Sequence, residues 1–298
     1  MKKKFNPFIY IIIFLLQFKV ISQTTYVIES ELKSKEKTIT ISQTISFKNT
    51  SNNKLDKIYL NDWANSYEGT ESQLVNHLAN QFNRSFYFSA KNKLGYTEIE
   101  RINGNQGSLI WSRLKDQLDI VEVILHEPLN QGEIINFSIN YKVKLPDDKF
   151  TGYGVNSNNK IFFRDFFISV SPLKKDSWIL QSNLGLRDNS NPHSSYLINW
   201  KYPSNYNLVS NLKNISKKNY AGDLISSQFE AAKLSSPEFI FDEKNDFKKI
   251  VFSDGFIVET DILPKKNGNV ELEKSLQKIY LFTKNILGKL ERDRLLVL

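Results

Sequence analysis

The stretch INFSINYKVKL, residues 135–145, alternates without a break. Ile135, Phe137, Ile139, Tyr141, Val143 and Leu145 share one parity; Asn136, Ser138, Asn140, Lys142 and Lys144 share the other. Successive side chains of a strand point to opposite faces, so this spacing predicts one face in a core and the other in water. Residues 118–125, LDIVEVIL, make the second clear strand, and the intervening HEPLNQGE predicts a loop through its proline, asparagine and glycine.

The same alternation holds upstream. Ile39, Ile41, Ile45 and Phe47 lie on one side, and Thr38, Thr40, Ser42, Thr44 and Ser46 on the other. A turn over 49–53 leads to a short return strand over 57–61, and strands over 97–102 and 108–111 flank a glycine-containing turn. Further strands are expected over 160–168, 178–182, 195–202 and 206–212, with four short ones between 225 and 263. No strand–helix–strand rhythm is present. The chain is therefore expected to be mainly β, an antiparallel β-sandwich or two packed sheets.

One helix interrupts that pattern. Leu74, Leu78 and Phe82, with Val75 and Ala79 alongside, form one helical face, with Thr70 as N-cap and Gln73 completing a capping box. This face is expected to pack on a sheet together with Trp63. After Pro264 the character changes again. A polar linker over 265–269 precedes an amphipathic helix over 270–287, in which Leu272, Leu276, Ile279, Tyr280, Thr283 and Leu287 lie on or near one face. Gly288 stops it, and 294–298 begin an apolar strand. The expected organisation is a signal peptide over 1–22, a β-domain over 23–263, and over 264–298 a linker with the first helix and strand of a truncated second domain.

The N-terminus carries Lys2, Lys3 and Lys4, an apolar run from Phe8 to Leu16, and the small residue Ser22. That order predicts a cleavable secretory signal, cut after Ser22, and Lys19 interrupts the run well short of the roughly 20 apolar residues a spanning helix needs. The formal charge of +8 includes four lysines and no acid from this segment, which leaves 8 − 4 = +4 for the mature chain. Acids are interspersed among the remaining lysines, so charge makes no case for nucleic-acid binding. There is no cysteine, which excludes disulfides, thiol catalysis, thiolate zinc sites and N-terminal lipidation. A secreted or periplasmic protein held by its core is expected, without membrane contact after cleavage.

The residues alone name no catalytic, cofactor-binding or metal-ligating position. His77, His126 and His193 are far apart, and His126-Glu127 is followed by Pro128 and Asn130 instead of a second histidine one turn on. No G-x-S-x-G elbow and no glycine-rich phosphate loop occurs. Asp147-Asp148 are adjacent acids in a turn, a placement that favours solvation over the cross-cleft pairing of a glycosidase. Trp63, Trp111, Trp178 and Trp200 fit strand cores and equally a sugar or peptide groove.

Three segments in order carry a resemblance. They are KIYLNDWANSY over 57–67, VILHEPLNQGEIINFSINYKVKLP over 123–146, and DDKFTGYG over 147–154. Together they resemble the N-terminal β-domain of the gluzincin zinc aminopeptidases, the alanyl-aminopeptidase family, in an exported bacterial branch, and the resemblance spans nearly all of residues 26–263. It implies a β-domain that packs on a thermolysin-like catalytic domain and helps wall its active site, where peptides lose N-terminal residues. Residues 270–298 resemble the opening of that catalytic domain. Zinc is implied for the full-length relative only: neither His-Glu-x-x-His nor the family's Gly-Ala-Met-Glu-Asn loop is in this chain, whose single methionine is Met1. The alternative is a stand-alone secreted β-sandwich that binds protein or glycan.

Overall fold

Strands β1 (Thr24–Lys33) and β2 (Thr38–Lys48) open the chain as an antiparallel pair running from Thr24↔Phe47 to Lys33↔Thr38. The computed structural model describes residues 23–186, 189, 191–244, 246–262, 270–288 and 293–297. The signal segment with its cut after Ser22, and the linker over 265–269, lie outside the described residues. On β2 the expected alternation is present: Ile39, Ile41, Ile45 and Phe47 are buried. Gln43 shares their parity and is buried too. Its amide donates to Ile168 O at 2.6 Å and its carbonyl accepts from Tyr141 Oη at 2.7 Å, so no polar atom is stranded in the core.

The chain continues through β3 (Leu55–Asn61), helix α1 (Gln73–Asn80), β4 (Tyr96–Gly104), β5 (Ile110–Leu114), β6 (Gln117–Leu129) and β7 (Ile134–Lys144). The two clearest strands of the sequence, β6 and β7, belong to different sheets. β7 pairs with β2 and β4, whereas β6 pairs with β3 and β5. Then come β8 (Ile161–Arg164), β9 (Ser194–Pro203), β10 (Asn207–Ser210), β11 (Lys213–Tyr220), β12 (Leu224–Leu234) and β13 (Glu238–Asp242).

The large sheet has the order β11-β12-β9-β1-β2-β7-β4, with residues 107–108 as an eighth short strand. It is antiparallel except where β1 meets β9 in parallel, from Thr25↔Ser195 to Glu31↔Lys201. Two four-stranded sheets cover it. One contains β5, β6, β3 and residues 169–170; the other contains β10, β13, β8 and residues 154–155. A single hydrophobic cluster joins all three. Its aromatic heart spans two sheets: Trp200 of β9 lies 5.3 Å from Phe163, 5.4 Å from Phe239 and 5.0 Å from Phe241. The architecture is mainly β with packed sheets, as the alternation predicts.

Helix α1 is shorter than its apolar spacing suggests, and Ser72 replaces Thr70 as its cap. Ser72 has the extended backbone an N-cap requires (φ −71°, ψ 153°), and its hydroxyl accepts from Val75 N at 3.3 Å. The expected capping-box partner, Gln73, is the first helical residue and reaches Asp116 O instead, at 2.8 Å. Leu74 and Val75 are buried and Leu78 packs against the core, but Phe82 is exposed. The helix closes before it: Asn83 N donates to Leu78 O at 2.9 Å and Phe82 N to Ala79 O at 3.0 Å, with Phe82 at φ 63°. This is a Schellman stop with phenylalanine in the left-handed position usually given to glycine. The expectation that Phe82 packs beside Leu74 fails because the turn swings it off the helical face.

Strands β14 (Lys248–Val251) and β15 (Ile257–Thr260), helix α2 (Val270–Leu287) and strand β16 (Arg294–Val297) make a small unit. β15 pairs antiparallel with β14 and parallel with β16, so two of its three strands precede residue 264. Ile250, Phe256, Val258 and Tyr280 form its separate core, with Leu276 packed against them. Tyr280 stacks on Phe256 at 4.6 Å, and its hydroxyl donates to Asp254 Oδ2 at 2.5 Å. Of the face expected on α2, Tyr280 and Leu276 turn inward, while Ile279 and Leu287 are exposed with Phe282 and Ile286.

Candidate functional site

The segment DDKFTGYG bends sharply to reach the edge of β8. Asp147 caps a single 3₁₀ turn over Asp148–Phe150, and its carboxylate pairs with Lys93 at 2.8 Å. Phe150 is buried and stacks on Phe86 at 3.9 Å, which roots the turn in the core. Gly154 follows with φ 118°, where a Cβ would stand 2.2 Å from Pro146 O. Only glycine fits, because the backbone itself fills the space.

Beyond that turn lies a cleft of ≈ 470 Å³. Gly152 and Gly154 line one side; Lys160, Phe162 and Arg164 follow along β8, and Glu238 and Ile240 along β13. Asp148 stands at the turn, and Asp261 and Leu296 close the cleft from the small unit. Strand parity explains the lining: Ile161 and Phe163 point into the core, which leaves Lys160, Phe162 and Arg164 to face outward.

The charges in the cleft are largely matched. Lys160 pairs with Asp261 across the junction with the small unit, and its ammonium sits 4.9 Å from the Phe247 ring. Arg164 lies 3.3 Å from Glu238 and 3.6 Å from Asp165. Burial, reinforced by the charge of Asp147, raises the pKa of Asp148. Burial likewise raises Asp165, against the bonds from Ser236 and the pull of Arg164. Such a site can hold a charged, extended ligand. It holds no histidine and no cysteine to serve as base or nucleophile.

A second polar cluster is enclosed and belongs to the KIYLNDWANSY segment. Asp62 is buried, accepting from Arg113 Nη2 at 2.7 Å and from Thr97 Oγ1 at 2.8 Å. Asn65 accepts from Thr97 N at 3.0 Å and donates to Leu118 O at 3.0 Å. Trp63 Nε1 donates to Gln181 O at 2.7 Å, and Asn183 Nδ2 to Ser66 Oγ at 2.9 Å. Burial raises the pKa of Asp62, and the Arg113 charge opposes that rise. Every polar atom here is spent on tying β3, β4, β5 and residues 181–183 together, so the cluster is a clamp.

The histidines stay apart. His77 of α1 lies 3.0 Å from Gln81 Nε2, the exposed His126 of β6 lies 3.1 Å from Ser108 O, and His193 immediately precedes β9. Among the described residues no group of three or more His, Asp or Glu side chains could hold a metal ion. The described residues therefore offer no donor set that fits zinc. Sequence patterns pointed to none of Arg113, Lys160, Arg164, Glu238 or Asp261. They come from separate segments, whereas Asp62, Trp63, Asn65 and Ser66 lay within KIYLNDWANSY and Asp148, Gly152 and Gly154 within DDKFTGYG.

The fold has solved counterparts. An M1 zinc metallopeptidase from Deinococcus radiodurans superposes with a TM-score of 0.55 at 11% identity. A point mutant of it gives 0.56 at 12% identity, and a mutant bound to a Tyr-Ser-Ala substrate 0.56 at 11%. Each match covers 94% of this chain and 57% of the other. At this identity the likeness is one of fold. This chain thus has the β-rich architecture of the N-terminal part of M1 metallopeptidases, and it spans little more than half the length of those structures. No protein-family model matches the sequence, and no curated protein does.

Proposed function

We propose that this chain is the non-catalytic N-terminal portion of an exported zinc aminopeptidase of M1 type. The observation that carries the reading is the extent of the fold match, which takes in 94% of the chain. In this reading the three packed sheets are a rigid support, and the cleft between β8, β13 and the small unit borders the path of a peptide. Its paired charges would orient the peptide, and hydrolysis would belong to catalytic residues outside this chain. The exposed Ile279, Phe282 and Ile286 of α2 support it as well, since they offer an apolar stripe on which further catalytic-domain structure would pack. Zinc in such an enzyme would be held by that further structure.

The test is enzymatic. The chain by itself should not hydrolyse aminoacyl-anilides and should not retain stoichiometric zinc after dialysis. Chelator-sensitive hydrolysis by this chain would overturn the proposal. So would a downstream reading frame without His-Glu-x-x-His and a later glutamate. Export is tested separately: the mature protein recovered from the cell envelope or medium should begin at Gln23.

A further inference from the structure

Between Glu71 and Glu98 the chain has no acidic residue, and it carries Arg84, Lys91 and Lys93. The loop that follows α1 lies in this interval and is firmly held. Phe86 is its buried root, stacked on Phe150. Tyr87 N donates to Arg84 O at 3.1 Å, Ser89 N to Phe86 O at 3.1 Å, and Ser89 Oγ to Ser85 O at 2.6 Å. From this fixed frame three aromatic rings stand out into solvent: Phe82 is 90% exposed, Phe88 84% and Tyr87 49%.

Single exposed apolar residues need no explanation, but grouped ones mark contact sites. A helix stop alone would not require phenylalanine at position 82, where the left-handed backbone favours glycine or asparagine. Nor can the loop collapse to hide Phe82 and Phe88, because its hydrogen bonds and the Phe86 root fix it.

We propose, against the expectation of no membrane contact after cleavage, that this loop is a peripheral docking site for an anionic lipid surface. Aromatic side chains favour the headgroup level of a bilayer, and neighbouring cations are drawn to anionic lipids there. Arg84 and Lys91 supply that charge, and Lys149, whose ammonium lies 5.3 Å from the Phe150 ring, stands beside the root. Of the two acids in the turn that carries Phe150, Asp147 is paired with Lys93, and Asp148 follows it. A lipid surface fits better than a protein partner because the exposed rings lie in a stretch, residues 72–97, that carries cations and no acid. Protein hot spots are ringed by contacts that exclude water, whereas a fluid headgroup layer needs no complementary shape. The contact is superficial: among the described residues no helix is long and apolar enough to cross a membrane.

The test uses the chain from Gln23 onward, so that the apolar N-terminal segment contributes nothing. It should co-sediment with vesicles of phosphatidylethanolamine and phosphatidylglycerol, less with phosphatidylcholine alone, and less as salt is raised. The double variant Phe82→Asn/Phe88→Ser should bind the anionic vesicles at least about tenfold more weakly while melting no lower than the parent. Asparagine suits the left-handed position, and both rings are solvent-exposed, so the fold should survive. In a Phe88→Trp variant, emission should shift to the blue when anionic vesicles are added. Absence of binding, equal binding by the double variant, or a loop-dependent dimer of the chain in place of vesicle binding would each overturn the proposal.

Discussion

The backbone amide of Asn183 donates to Asp119 Oδ2 at 2.7 Å, and that carboxyl is only 3% exposed. Burial pushes the Asp119 pKa up to about 6, against the opposing bonds from Asn183 and Ser182 and with a smaller push from Asp62. The folded state thus holds this proton more tightly than the unfolded chain, whose carboxyl titrates near 3.8. The stability that protonation contributes is full below that lower value and is lost as pH rises to about 6. The shift corresponds to about 3 kcal/mol. Asp119→Asn keeps an acceptor for Asn183 and removes the charge. Urea unfolding of both proteins should show the variant gaining about 2–3 kcal/mol on the parent between roughly pH 4 and 7. A difference that stays flat with pH would refute the assignment.

Arg113 is the counter-charge of a carboxylate sealed from water. Removing one partner of a buried pair costs about 3–5 kcal/mol, since the other charge is left unpaired. Arg113→Leu should therefore destabilise the protein by that amount. Adding Asp62→Asn should recover a large part of it, and a double-mutant cycle by chemical denaturation reads the coupling directly. Additive single effects would show that the two side chains do not act as a pair.

Phe82 takes a left-handed backbone with its ring in solvent, so its replacement should be favourable for folding. Such a conformation costs an ordinary residue about 1–2 kcal/mol, and asparagine tolerates it better. Phe82→Asn should raise stability by about 0.5–1 kcal/mol, read as a melting temperature higher by a few degrees. A lower melting temperature would mean that the ring makes contacts in solution.

Gly154→Ala should be among the most damaging small changes. The added carbon would meet Pro146 O at 2.2 Å, and that same oxygen accepts from Val155 N at 2.8 Å. Neither atom can yield without breaking the turn. A loss of roughly 3 kcal/mol or more is expected, with the cleft-lining turn displaced. Wild-type-like stability in denaturant would contradict this account of the glycine.

Much of the local structure was legible because burial follows period two. Of the set the alternation names, Phe137, Ile139, Tyr141 and Val143 are buried on β7, Leu145 is buried just beyond it, and Ile135 is half-buried. The helix α1 was visible through Leu74 and Leu78, but its end was not, since nothing apolar marks a Schellman turn. Partners in sequence proved poor guides to partners in space. β6 and β7 look like neighbours yet sit in different sheets, a choice made by long-range packing. The cleft was invisible for a related reason. Lys160, Arg164, Glu238 and Asp261 are unremarkable on their strands, and only the pairing of β8 with β13 and the small unit brings them together. Asp62 and Asp119 are buried by partners from distant segments, which no local pattern reveals.

The parallel seam between β1 and β9 has a consequence for when the protein can fold. Thr25 lies against Ser195, so the first strand to emerge waits for 195 − 25 = 170 residues before its second neighbour exists. Only β2 is available to it early, and an isolated hairpin is marginal in water. Structures dominated by distant pairings fold slowly, because loop closure precedes any reward from contact. Under the proposed export, such a chain would pass through the export channel before β9 has closed against β1 and would complete its large sheet on the far side. The topology and the predicted N-terminal signal would then serve the same journey.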